Sequence, residues 1–158
     1  MKKYRLTEET TKVGNRPLYR IQALRDFGNV TKGDIGGYIE SEKNLSQDGN
    51  AWVSGNACVY GDAWVYGDAC VYGNARVYGD ADIKTTGDIC SMSGFGSEYR
   101  TTTAFRTKNG DVHVSCGCFQ GNLEAFCQRV EITHGNNLYG REYKKMIEML
   151  KIHFEVEP

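Results

Sequence analysis

Gly49-Asn50-Ala51-Trp52-Val53-Ser54, Gly55-Asn56-Ala57-Cys58-Val59-Tyr60, Gly61-Asp62-Ala63-Trp64-Val65-Tyr66, Gly67-Asp68-Ala69-Cys70-Val71-Tyr72, Gly73-Asn74-Ala75-Arg76-Val77-Tyr78 and Gly79-Asp80-Ala81-Asp82-Ile83-Lys84 are consecutive copies of one hexapeptide, Gly-[Asn/Asp]-Ala-x-Val-x. A fixed short period with small and β-branched residues at two positions is the signature of a β-solenoid. Ala and Val stand two apart and point to one side of an extended segment, while the fourth and sixth positions point to the other. Gly followed by Asn or Asp tolerates left-handed backbone angles and makes the corner. Three short strands and three corners close a coil of about 18 residues, so 49–84 supplies two coils. Residues 43–48 and 85–90 keep fragments of the pattern and extend each end. An antiparallel meander with a turn at each corner is the competing architecture. Four-residue strands are short for it, and every strand would present Ala and Val to the same side.

In the pairs Val53 and Ala57, Val59 and Ala63, Val65 and Ala69, Val71 and Ala75, and Val77 and Ala81, an aliphatic residue precedes a small one by four positions. This resembles the left-handed β-helix of hexapeptide-repeat proteins. The resemblance implies left-handed winding, against the usual crossover hand, and assembly around a threefold axis as a homotrimer.

The outward positions carry Trp52, Tyr60, Trp64, Tyr66, Tyr72, Arg76 and Tyr78, with Cys58, Cys70 and Asp82 between them. An 18-residue coil sets Tyr60 beside Tyr78, Trp52 beside Cys70, Cys58 beside Arg76 and Trp64 beside Asp82. Aromatics then lie on all three faces, a costly surface in water unless covered. The cover is a folded-back C-terminal segment or self-association. Tyr and Trp are also enriched in binding hot spots, so these residues are candidates for an oligomer interface or a partner-binding surface.

Net charge is −1 over 158 residues, which gives no whole-chain attraction to nucleic acid or acidic membrane. Long nucleic acid is an unexpected partner. Residues 1–25 gather Lys2, Lys3, Arg5, Lys12, Arg16, Arg20 and Arg25 against Glu8 and Glu9, a basic patch or simply a solvated face. The absence of a long apolar run argues against a membrane span or signal peptide and for a cytoplasmic protein with reduced cysteines.

Residues 1–42 read as an N-terminal β cap, needed because an open solenoid end exposes unpaired strands. Extended stretches at 4–6 and 18–24 flank a turn at Gly14-Asn15 and Pro17. A second turn falls at Gly28-Asn29, and the glycines of 33–40 lead tightly into the first coil. That glycine-rich piece lacks the spacing of a phosphate loop. After the helix segment 43–90, residues 91–158 read as a small ββαα module. Alternating segments at 101–107 and 112–116 surround Asn109-Gly110, a strong hairpin signal. Asn122 caps a helix with Leu123, Phe126, Cys127 and Val130 on one face, stopped at Gly135. A second helix, about 141–153, turns Tyr143, Met146, Ile147 and Leu150 inward. These two helices are the expected cover for aromatic rows of the solenoid.

Hexapeptide-repeat acyltransferases need a base on or beside the coils, usually His. Here His113, His134 and His153 all lie outside 43–90, and no long loop interrupts the coils. No catalytic residue and no cofactor are expected, although a trimer could bring His113 of one chain beside another's coils. Cys116, Cys118 and Cys127 with His134 form a weak zinc candidate. Their Cys-x-Cys gap is shorter than the usual two to four residues, and small buried hydrophobes is the plainer reading. Cys58 and Cys70 fall on different faces and cannot bridge within one regular prism.

The segment order also resembles small hexapeptide-repeat proteins of phages and prophages. The supporting stretches are Lys3-Tyr4-Arg5-Leu6, Asp34-Ile35-Gly36-Gly37-Tyr38-Ile39, Thr101-Thr102-Thr103-Ala104-Phe105, and 114–126 from Val114 to Phe126. That resemblance implies a viral accessory protein in the host cytoplasm. Its expected function is non-enzymatic binding: an anti-defence inhibitor docked on a host protein through the aromatic surface and the C-terminal module. A protein that sequesters a nucleotide or other small signal between protomers is the alternative, with Arg76 and the N-terminal basic residues on phosphate. An acyltransferase is a second alternative.

Overall fold

The computed structural model describes residues 1–156 and is mainly β, with two helices near the C-terminus. Its N-terminal part is a hairpin of β1 (Tyr4–Val13) and β2 (Arg16–Ala23) turning at Gly14-Asn15, followed by β3 (Ile35–Ile39). The repeats then give six two-residue strands: β4 (Trp52–Val53), β5 (Cys58–Val59), β6 (Trp64–Val65), β7 (Cys70–Val71), β8 (Arg76–Val77) and β9 (Asp82–Ile83).

These strands pair in parallel, 18 residues apart: Trp52 with Cys70, Cys58 with Arg76, and Trp64 with Asp82. Parallel pairing rules out the meander. Three separate ladders result, β4-β7, β6-β9, and β5-β8 continued by β3 into the sheet β1-β2-β3-β5-β8. Val53, Val59, Val65, Val71, Val77, Ile83 and Ile89, six residues apart, are all buried with the repeat alanines. Burying one such side chain fully contributes about 2 kcal/mol.

The repeat begins before its motif does. Ile39 pairs with Val59 and Leu45 bridges to Val65, each 20 residues on rather than 18. The two additional residues fall between Leu45 and Ala51. There Gln47 Oε1 accepts from the backbone N–H of Lys3 at 2.7 Å and of Tyr4 at 3.2 Å, which fastens the start of β1. Asn44 is fully buried, its amide donating to the carbonyls of Gly61 and Ala63.

The C-terminal module differs from the ββαα expectation by two strands. A four-stranded antiparallel sheet, β10 (Ile89–Phe95), β11 (Arg100–Arg106), β12 (Val112–Cys116) and β13 (Phe119–Asn122), precedes α1 (Leu123–Thr133) and α2 (Leu138–His153). β10 begins in the last repeat fragment and alternates only over Cys90-Ser91-Met92-Ser93 before Gly94, and β13 is short and contains Gly121, so neither gives a long alternating signal. Asn122 caps α1 as expected, accepting from Ala125 N–H at 2.8 Å. α2 starts a turn earlier than expected because Asn137 caps it, accepting from Gly140 N–H. Leu123, Phe126 and Val130 pack with Tyr143, Met146, Ile147 and Leu150 on the sheet, but Cys127 is exposed, contrary to its assigned place on the buried face.

Candidate functional site: an arginine-lined cleft

The outward repeat residues divide into covered and open groups. Trp52 is buried under the N-terminal segment, edge-on to Phe27 at 5.3 Å and to Tyr4 at 6.5 Å. Tyr60 stacks on Tyr78 at 5.3 Å, one repeat turn away, and both are buried. Tyr78 meets Phe105 and His113 edge-on. The cover over Tyr78 is therefore the β11–β12 sheet, and over Trp52 the N-terminal segment. The two helices expected in that role pack on the sheet instead. Trp64 and Tyr72 remain 43% and 47% exposed, and Trp64 stacks on Tyr66 at 3.8 Å. Of the seven outward residues singled out on the three faces, Trp52, Tyr60 and Tyr78 are thus covered within the chain, and Trp64 and Tyr72 are open.

Arg76 goes elsewhere. It stands on the ladder β3-β5-β8 beside Cys58, and its backbone N–H donates to Thr103 Oγ1 at 3.2 Å, tying the repeat to β11. Between this ladder and the C-terminal sheet lies a cleft of about 670 Å³. Tyr38, Asn56, Cys58, Asn74 and Arg76 form one wall; Arg100, Thr101, Thr103, Ser115 and Cys118 form the other, with Thr11 at the rim. The volume falls in the range of small-molecule sites. Among the described residues no carboxylate or histidine lines it, and neither arginine has a carboxylate within ion-pair distance. Two guanidinium groups facing hydroxyls and amides leave the cleft electropositive and rich in donors.

The first wall is fixed from behind by Arg20. Its guanidinium donates to Tyr38 Oη at 2.7 Å, Asn56 Oδ1 at 3.2 Å and the carbonyl of Gly36 at 2.7 Å, and pairs with Glu9 at 2.6 Å. It also lies over the Tyr38 ring at 4.2 Å. Because Tyr38 oxygen accepts from Arg20, its own O–H remains available to donate. Burial pushes the Cys58 thiol up, with Arg76 and Arg20 pulling it back, which disfavours the thiolate.

His113 lies beside the repeat of its own chain, with no second chain needed. Its Nε2 is 2.9 Å from Tyr78 Oη and its ring stacks on Phe105 at 5.1 Å. Burial lowers its pKa, with Asp80 acting the other way. Of the zinc candidates, Cys116, Cys118 and His134 line one hollow and Cys127 stands outside it. Cys116 accepts from Thr102 Oγ1, Cys118 and Cys127 are exposed, and His134 stacks on Tyr143. Among the described residues no three His, Cys, Asp or Glu side chains are placed to hold a metal ion. No helix there is long and apolar enough to cross a membrane.

Arg100, Thr101, Thr103, Ser115 and Tyr38 went unrecognised in sequence. Four belong to a β-rich hairpin with no local motif, and only the docking of β11 against the repeat turns them toward Arg76. The chain matches no protein-family model. Over 61 residues, 34% of this chain, it is 39% identical to an Escherichia coli (strain K12) protein described as uncharacterized acetyltransferase YdcK. The match covers 19% of that protein.

Proposed function

We propose that the chain is a binding protein that holds a small anionic ligand in the cleft between the repeat and the C-terminal sheet, without catalysing its reaction. The pairing of Arg76 with Arg100 across a cleft free of carboxylates carries this reading. The ligand class is an oxygen-rich anion of about mononucleotide size, with phosphate on the guanidinium groups and hydroxyls on Asn56, Asn74, Thr101, Thr103 and Ser115. This is the sequestering alternative with the site moved from between protomers to within one chain. The repeat itself is proposed to wind as a short left-handed β-helix, supported by the 18-residue parallel register. The phage-accessory origin and the host cytoplasm rest on the resemblance.

Acyl transfer, which the printed name of the Escherichia coli relative ascribes to that protein, is less supported. A base is missing from the cleft wall, and His113 is engaged by Tyr78 and held low by burial. Docking on a host defence protein is a second reading, favoured by the open Trp64–Tyr66 stack and Tyr72. The same open residues are the ground left for a homotrimer, since the other aromatics are covered within the chain.

Calorimetric titration with mononucleotides, cyclic dinucleotides, inorganic phosphate and acyl-coenzyme A tests the proposal. Saturable binding of a phosphate-bearing ligand, weakened at least tenfold by Arg76→Ala and by Arg100→Ala with the fold intact, supports it. Binding indifferent to both substitutions, or none by any anion, overturns it. Turnover of acyl-coenzyme A with an acceptor would restore the transferase.

A further inference from the structure

The edge strands of the two large sheets are protected very differently. Strand β1, an edge of the N-terminal sheet, carries Arg5, Glu8, Glu9 and Lys12, and its register breaks between Leu6 and Thr10. Charges and bulges of this kind keep an edge from pairing with another chain. Strand β10, an edge of the C-terminal sheet, reads Ile89-Cys90-Ser91-Met92-Ser93-Gly94-Phe95. It has no charged residue and no proline, and its register against β11 is regular from Ile89 to Ser93 and shifts only at its end, between Ser93 and Phe95. The other edge of that sheet, β13, is four residues long and runs directly into α1.

Beside β10 lies an apolar surface that the described residues leave uncovered. Leu138 and Met149 of α2 are more than half exposed, Ile152 is 78% exposed, and Phe95 projects at the end of the strand. Leu138, Glu142, Lys145, Met149 and Ile152 succeed one another by four, three, four and three residues, a single stripe along the helix. Between stripe and strand run two adjoining hollows of about 370 and 340 Å³, sharing Met92 and Met149. The first has Phe95 and Leu138 in its wall; the second has Cys90 and Ile152. An unpaired strand edge flanked by an apolar groove selects an extended strand that brings its own apolar side chains.

We infer that this surface binds a second copy of the chain, with the two β10 strands pairing antiparallel across a twofold axis. A twofold contact must be self-complementary, and this one is: strand edge meets strand edge, and each α2 stripe meets the groove of its partner. The charges along the stripe agree, since exposed Arg141, Lys145 and Glu148 and half-buried Glu142 balance in sign. Such a balanced set complements its own antiparallel copy and gives no attraction to a strongly acidic or basic partner. The contact lies apart from the arginine cleft and does not depend on it.

Mass measurement by light scattering across a range of protein concentrations, with hydrogen exchange at low and high concentration, tests this. The expected result is a dimer in which β10 amides gain protection as concentration rises. The double variant Met149→Lys, Ile152→Glu alters only exposed positions; it is expected to stay monomeric with unchanged melting temperature and circular dichroism. A monomer at every concentration, a trimer, or a dimer that persists in the double variant would each overturn the inference.

Discussion

Tyr78 Oη and His113 Nε2 are 2.9 Å apart, joining the fifth hexapeptide to the β11–β12 hairpin of the C-terminal module. Around this bond, Thr107 bridges to Ala81 and Lys108 N–H donates to the carbonyl of Asp80, so the hairpin turn also grips a repeat corner. The cleft exists because these contacts fix the distance between its walls.

Acid should loosen that junction. Burial lowers the His113 pKa below its ordinary 6.5, so below pH 6.5 the unfolded chain binds more protons than the folded one. Stability is constant in this group above pH 6.5 and falls as pH drops through the folded value. Denaturant melts from pH 7.5 to 5 should show the decline, and His113→Gln should flatten it. Tyr78→Phe should cost about 1 kcal/mol, the worth of one hydrogen bond. An acid slope that is the same in His113→Gln and the parent would show that His113 titrates freely.

Lys3 should act at the alkaline end. Its side chain is fully buried, its ammonium donating to the carbonyl of Ala51 at 2.7 Å and facing the Phe27 ring at 4.9 Å. Burial, with Arg25 adding to it and Asp48 opposing, lowers its pKa from 10.5 to about 8. Between those values the unfolded chain holds the extra proton, so this group makes stability rise with pH. Relative to Lys3→Met, the parent should gain stability from pH 8 to 10.5 and show no difference in slope below that window. Parallel curves through the window would place the ammonium in water.

The repeat was legible because its period is covalent. Ala at the third place and Val at the fifth sit on one side of every strand, and Gly with a positive φ opens each hexapeptide, so register followed from arithmetic. The covers were not legible, because they depend on contacts 25 or more residues apart. Trp52 and Trp64 occupy the same place in their hexapeptides, yet Phe27 and Tyr4 shelter only the first. Arg76 was singled out by its charge, whereas Arg100 became its partner only through the docking of β11. The free edge of β10 was hidden because the strand starts inside the last repeat fragment and alternates only over Cys90-Ser91-Met92-Ser93.

The corner glycines are not equivalent, and paired substitutions should separate backbone conformation from crowding. Gly49 has φ +70° and a Cβ there would lie 2.7 Å from the carbonyl oxygen of Gly67. Gly73 has φ +66° with open space around it. Gly73→Ala should cost about 1–2 kcal/mol, the left-handed penalty alone. Gly49→Ala should cost clearly more, since backbone must shift. Equal losses in thermal melts would mean that the turns slide apart without resistance.

The two tryptophans give the sharpest contrast in the repeat. Trp52→Ala removes a buried ring from between Phe27, Tyr4 and the ladder, and should destabilise by about 3–5 kcal/mol. Trp64→Ala removes a ring whose main contact is the neighbouring Tyr66 and should cost about 1 kcal/mol, the worth of an aromatic pair. Denaturation of both variants checks the ranking. Because Trp64→Ala keeps the fold, it also isolates the open aromatic face as a partner surface. If a host protein docks there, Trp64→Ala and Tyr72→Ala should each weaken the complex while leaving anion binding at Arg76 and Arg100 unchanged. A loss of anion binding in Trp64→Ala would instead mean that the face and the cleft respond as one unit.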